Sequence, residues 1–154
     1  MIETDLDAVV AFIGDRLDVS VLVASAENGA PEVAWGDVFF YAGPFNGDDP
    51  PQRMPFATIV TKDYPGFDEA SDLDRPGVFR LNVGIGRSAF AEKFPGWPGD
   101  DEFDFTVSDV LVPHPVYWPQ FWLSVINPSQ SSLEQIEPLL VKAHRRADDR
   151  RTSS

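Results

Sequence analysis

No cysteine occurs in the 154 residues. Disulfides, thiolate zinc sites, iron–sulfur ligation and cysteine nucleophiles are therefore excluded. The absence of disulfides fits a reducing cytoplasm, and a cytoplasmic location is the expectation. Histidine is scarce, with only two, His114 and His144. No His-x-x-x-His or Glu-x-x-His pair is present to hold zinc. Asn46-Gly47-Asp48-Asp49 is rich in oxygen but lacks the spacing of a calcium loop. No serine lies in Gly-x-Ser-x-Gly, so a hydrolase elbow is not supported. No metal and no cofactor are expected. Positive charge is also short, with 12 basic residues against 25 acidic ones and a net charge of −13. Nucleic-acid binders displace counterions with Lys and Arg; here Arg145, Arg146, Arg150 and Arg151 crowd the last few positions. Nucleic acid is not an expected partner. No basic leader precedes an apolar segment at Met1-Ile2-Glu3-Thr4-Asp5, and no apolar run reaches the length of about 20 residues that a membrane span needs.

Aromatic residues are plentiful, with 12 Phe, 4 Trp and 3 Tyr, and 43% of the chain is hydrophobic. That suffices for one core without covalent staples. The reading is a single domain over residues 1–148 with a disordered tail at 149–154. Leu6, Val9, Val10, Ile13 and Leu17 share a helical face, which predicts a helix over Asp5–Leu17 capped by Thr4. Val19–Ala24 and Glu32–Tyr41 read as a hairpin around the Glu27-Asn28-Gly29 turn. Residues 43–55 read as a loop. Strands follow at Phe56–Lys62 and Val78–Val83, separated by an acidic connection over 63–77. A short helix is expected at Ser88–Phe94, and Phe105–Leu111 is ambiguous. The last strand is Phe121–Ile126. The closing helix opens with a Ser131/Glu134 capping box and buries Leu133, Ile136, Leu140, Ala143 and Ala147, leaving Pro138 on the solvent side. Helices at both ends of a mainly antiparallel sheet of four or five strands make a two-layer α+β sandwich.

Several phrases carry a resemblance: Trp35-Gly36-Asp37-Val38-Phe39-Phe40-Tyr41, Met54-Pro55-Phe56-Ala57-Thr58-Ile59-Val60, Asp63-Tyr64-Pro65-Gly66-Phe67-Asp68, Val78-Phe79-Arg80-Leu81-Asn82 and His114-Pro115-Val116-Tyr117. The chain resembles, over nearly its whole length, an uncharacterised bacterial family that carries only a domain-of-unknown-function label. That resemblance implies no activity. The order of elements is more distantly similar to the MmcQ/YjbR-like proteins, which implies a CyaY-like arrangement. That family includes members encoded beside natural-product pathways, so the likeness implies a small-molecule role in such a metabolic context.

Side-chain alternation places Arg80 and Asn82 on one face of their strand, where they could meet Thr58 and Lys62. An Arg/Asn/Lys/Thr patch in an acidic protein could receive a carboxylate or phosphate, or Arg80 could pair with a neighbouring Asp. Gly84-Ile85-Gly86-Arg87-Ser88-Ala89 matches Gly-x-Gly-x-x-Ala without the flanking βαβ pattern. It reads as an anion-holding turn with Arg87, or as a tight turn capped by Ser88. His114, between two prolines, could act as a general acid–base with Asp37 or Asp63, or serve as a structural hydrogen-bonding residue. Tyr64, Phe67, Trp97, Tyr117 and Trp118 fall in Pro-rich loops and could line an apolar pocket or plug the sheet ends.

Three functions follow. The favoured one is binding of a small organic ligand, with an anionic group, in an aromatic-lined cleft. Trp35, Tyr64, Tyr117 and Trp122 would form its walls, and Lys62, Arg80, Asn82 and Arg87 its polar contacts. The second is a cofactor-independent enzyme using His114 with Asp37 or Asp63. The third is a homodimeric interaction module built on the aromatic face.

Overall fold

The computed structural model describes residues 5–44, 53–99 and 102–152. Its core is a six-stranded antiparallel sheet covered on one face by helices. Helix α1 spans Leu6–Arg16 and buries Val9, Phe12 and Ile13. Burying one such side chain contributes about 1.5–3 kcal/mol. Asp5 supplies the cap, accepting from Ala8 N at 2.8 Å; the expected cap, Thr4, lies outside the described residues. Strands β1 (Val19–Val23) and β2 (Val38–Ala42) form the expected antiparallel pair. The second is shorter than its β-rich composition suggests, because Glu32–Ala34 coils into a 3-10 turn. Gly29 turns the chain at φ 79°.

Strands β3 (Ala57–Val60) and β4 (Arg80–Gly84) follow. Helix α2 is Arg87–Lys93, and β5 is a two-residue strand, Val112–Pro113. Strand β6 is Trp122–Ile126, and α3 runs over Gln130–Thr152. The strand order is β1-β2-β3-β4-β6-β5. The sixth strand, β5, is too short to show a period in the sequence. The ambiguous 105–111 segment is irregular and touches the sheet through one Ser108–Ile126 bridge. Most of the 43–55 loop lies outside the described residues.

Alternation along β4 sorts the two faces as expected. Leu81 and Val83 enter the helix-covered core with Ala57, Ile59, Leu123 and Val125. Helix α3 contributes Leu133, Ile136, Leu140 and Ala143 to that core and leaves Pro138 exposed. Its start is held by Ser129, whose Oγ accepts from Ser132 N at 3.2 Å, in place of the expected Ser131/Glu134 box. Asp109 adds a second hold, accepting from Ser129 N at 2.8 Å and Ser132 Oγ at 2.6 Å. The helix continues through Thr152, well into the stretch expected to fray.

The opposite face of β4 carries Arg80 and Asn82. It is covered by irregular segments rather than solvent. Arg75 ties two of these together, donating to Ser71 O at 3.0 Å and Thr106 O at 3.1 Å. No described helix is long and apolar enough to cross a membrane.

Candidate functional site

The sheet brings polar side chains together on the face opposite the helices. Thr58 stands opposite Asn82, and Asn82 opposite Ser124, in neighbouring strands. Asn82 Nδ2 donates to Thr58 Oγ1 at 3.0 Å, while its Oδ1 accepts from Ser124 Oγ at 2.7 Å and Arg80 Nε at 2.8 Å. Arg80 is fully buried. Its guanidinium forks onto Asp68, with Nη1 to Oδ1 at 3.0 Å and Nη2 to Oδ2 at 2.6 Å, and Nη1 also donates to Ser71 Oγ at 2.9 Å. Two charges taken out of water require such pairing and hydrogen bonding. Arg80 therefore meets the expected Thr58 side of its face through Asn82, but its own anion is internal.

His114 lies at the end of β5, with its N–H donating to Trp122 O at 2.9 Å. It is 3% exposed. Nδ1 accepts from Val116 N at 3.0 Å and Tyr117 N at 2.9 Å. With Nδ1 accepting, the proton of the neutral ring belongs on Nε2, which is 3.2 Å from Arg80 Nη2. A second proton would sit on Nδ1 against two N–H donors. Burial, followed by the adjacent Arg80 charge, lowers the His114 pKa to about 3, against a smaller opposing pull from Asp68. The carboxylate nearest His114 is thus Asp68, reached through Arg80, and the hydrogen bonds of Asp37 and Asp63 go elsewhere. Nδ1 anchors the turn at 114–118, and Nε2–H faces the donor-only guanidinium of Arg80 inside a buried ring.

Asp37 is fully buried and forms a second knot. It accepts from Thr61 N at 2.9 Å and Thr61 Oγ1 at 3.0 Å, and from the Tyr64 hydroxyl. Lys62 Nζ lies 3.5 Å from Asp37 and donates to Trp35 O. Burial and the hydrogen bond to Asp37 raise the Tyr64 pKa well above its ordinary value. Asp63 closes the 63–77 connection, accepting from Leu73 N at 2.8 Å. Trp35 Nε1 donates to Ala30 O at 2.9 Å, and Trp122 packs against Gly84. Tyr117 stacks near His114 and Phe67 at the surface. Among the described residues these aromatics thus make separate contacts.

A cleft exists elsewhere. Between α2 and the turn leading into β6 lies an open groove of about 370 Å³. Phe90, Phe94, Trp97, Trp118 and Phe121 make its walls, with Pro98 and Pro119 beside them. The rings pack edge to face, Trp97 against Trp118 at 6.0 Å and Phe90 against Phe121 at 5.9 Å. Arg87 sits at the rim with its guanidinium 5.0 Å from the Phe121 ring centre. Trp97 Nε1 is buried without a hydrogen-bond partner among the described residues. Of the residues named for the favoured ligand cleft, Arg87 lines this groove, joined by Trp97 and Trp118 from the loop aromatics that could line a pocket. Trp97 and Trp118 carried the signal, as aromatics in Pro-rich loops. Phe90 and Phe94 were read only as part of the short helix, and Phe121 as the start of the last strand. Asp68 and Ser71 were likewise invisible as partners of Arg80. No cluster of three or more metal-binding side chains occurs among the described residues.

A family model matches residues 4–154. The chain belongs to DUF6194, a family of unknown function. The match agrees with the phrases that suggested such a family. No curated protein and no solved structure matches the chain.

Proposed function

We propose that this DUF6194 domain binds a small organic ligand in the groove between α2 and the 118–121 turn. The observation that carries this is an open, ring-lined groove of about 370 Å³ formed by α2, the 94–98 turn and the 118–121 turn. That volume falls within the range of about 300–1,000 Å³ typical of small-molecule pockets. Apolar walls favour burial of a ligand's apolar body, and Arg87 at the rim supplies a polar contact that fixes orientation. The buried Arg80–Asp68–His114 and Asp37–Tyr64 knots serve to hold the irregular segments on the sheet. An acid–base role for His114 gains no support from a buried ring whose Nδ1 is taken by two backbone N–H groups and whose pKa lies at about 3.

A thermal-shift screen against metabolites and natural products tests the proposal, run on wild type and on Trp118→Ala. A ligand that binds only the folded protein stabilises it by RT ln(1 + [L]/Kd). The expected result is a stabilising compound whose effect is lost in folded Trp118→Ala. Hits that stabilise both proteins equally place binding outside the groove and count against the proposal.

A further inference from the structure

We infer that the ligand of this groove is an aromatic carboxylate, its ring against the aromatic walls and its carboxylate on Arg87. The inference rests on the binding proposal and adds the charge and shape of the ligand. The protein carries a net charge of −13, and Arg146 packs on the Gly84–Ile85 backbone that leads into Arg87. Arg146 reaches back from α3, donating from Nη2 to Gly84 O at 2.6 Å and from Nη1 to Ile85 O at 3.1 Å. Gly86 makes room for it, because a Cβ there would stand 2.3 Å from Arg146 Nη1. Arg150 follows one turn later on α3, its Nε 3.4 Å from Arg146 O. Arg146 is thus crowded by a like charge, and it gives up part of its hydration to pack on the turn. Arg87 comes next in the chain. No described carboxylate forms an ion pair with it, and its guanidinium lies over the Phe121 ring. An anion at Arg87 would pair with its guanidinium, whereas a cation would be repelled.

The walls decide the rest of the ligand. They consist of rings and prolines, which offer few polar groups to replace the hydration of a sugar or polyol, so burying such a ligand would be costly. Flat rings suit edge-to-face and offset contacts with Trp97, Trp118 and Phe121. A carboxylate suits the planar guanidinium fork better than a single-point anion does.

Calorimetric titration of the full chain with 2-naphthoate and with its neutral counterpart 2-naphthamide provides the test, at low and high salt and with Arg87→Gln beside wild type. Arg87 is exposed, so the variant is expected to fold. 2-Naphthoate is expected to bind wild type at least about tenfold more tightly than the amide, the scale of one hydrogen bond to a charged group. That preference should vanish in Arg87→Gln and shrink with added salt. Equal binding of acid and amide, or a preference that survives Arg87→Gln, overturns the carboxylate inference and leaves the groove proposal standing. Binding of neither probe to the folded protein overturns the inference and counts against the groove as well.

Discussion

Acid should destabilise this protein through one histidine before its carboxylates titrate. His114 keeps its ring neutral because burial and Arg80 lower its pKa from 6.5 to about 3. The unfolded chain holds no such environment and takes up a proton near the ordinary value of about 6.5. The folded pKa is depressed, so the contribution of the neutral ring is complete above the unfolded pKa and is lost as pH falls towards the folded one. Each unit of difference corresponds to about 1.4 kcal/mol. Relative to neutral pH, the loss reaches about 2.7 kcal/mol at about pH 4.5, a large share of a typical stability of about 5–15 kcal/mol. Urea unfolding between about pH 7 and pH 4.5 would measure it, with His114→Asn as the comparison. Asn Oδ1 can take the place of Nδ1 as acceptor for Val116 and Tyr117 but does not titrate. The variant is expected to lose some stability at neutral pH and to show a much flatter profile in this window. His144 is the other histidine, and its Nε2 lies 2.7 Å from Asp18 O. Equal slopes for wild type and His114→Asn would refute the reasoning.

Other substitutions test neighbouring parts of the account. Arg80→Met leaves Asp68 buried and unpaired and is expected to cost about 3–5 kcal/mol in denaturant unfolding, with Arg80→Met/Asp68→Leu recovering much of the loss. Gly86→Ala combines a φ of 85° with a Cβ 2.3 Å from Arg146 Nη1, and a lowered Tm is expected. Asp5→Ala removes the α1 cap at an expected cost of about 1 kcal/mol, read by thermal unfolding.

The sequence made much of the frame legible. The strict period of two in β4 separated Leu81 and Val83 from Arg80 and Asn82, and the period of 3.6 in α3 marked Leu133, Ile136 and Leu140. Those signals are local, and neighbouring strands and helices preserve them. That Arg80 could pair with an Asp was legible, but which one was not, because Asp68 and Ser71 lie in a connection with no period and only the folded loop brings them over the sheet. Strand β5 escaped notice because two residues show no alternation. The groove was half legible. Proline-flanked Trp97 and Trp118 stood out, but their meeting depends on how the 94–98 turn packs against the 118–121 turn, two segments distant in sequence. The candidate site moved accordingly, away from the Arg80 face, where internal acids already occupy the cations, and towards Arg87.

The indole N–H signals of the four tryptophans in a ¹H–¹⁵N spectrum report most directly on the groove. Trp97 and Trp118 line it, while Trp35 donates to Ala30 O at 2.9 Å away from it. On titration with a compound shown to stabilise the protein, the account predicts that the Trp97 and Trp118 signals shift in a saturable way and that Trp35 stays in place. Saturable binding that leaves Trp97 and Trp118 unmoved would contradict it.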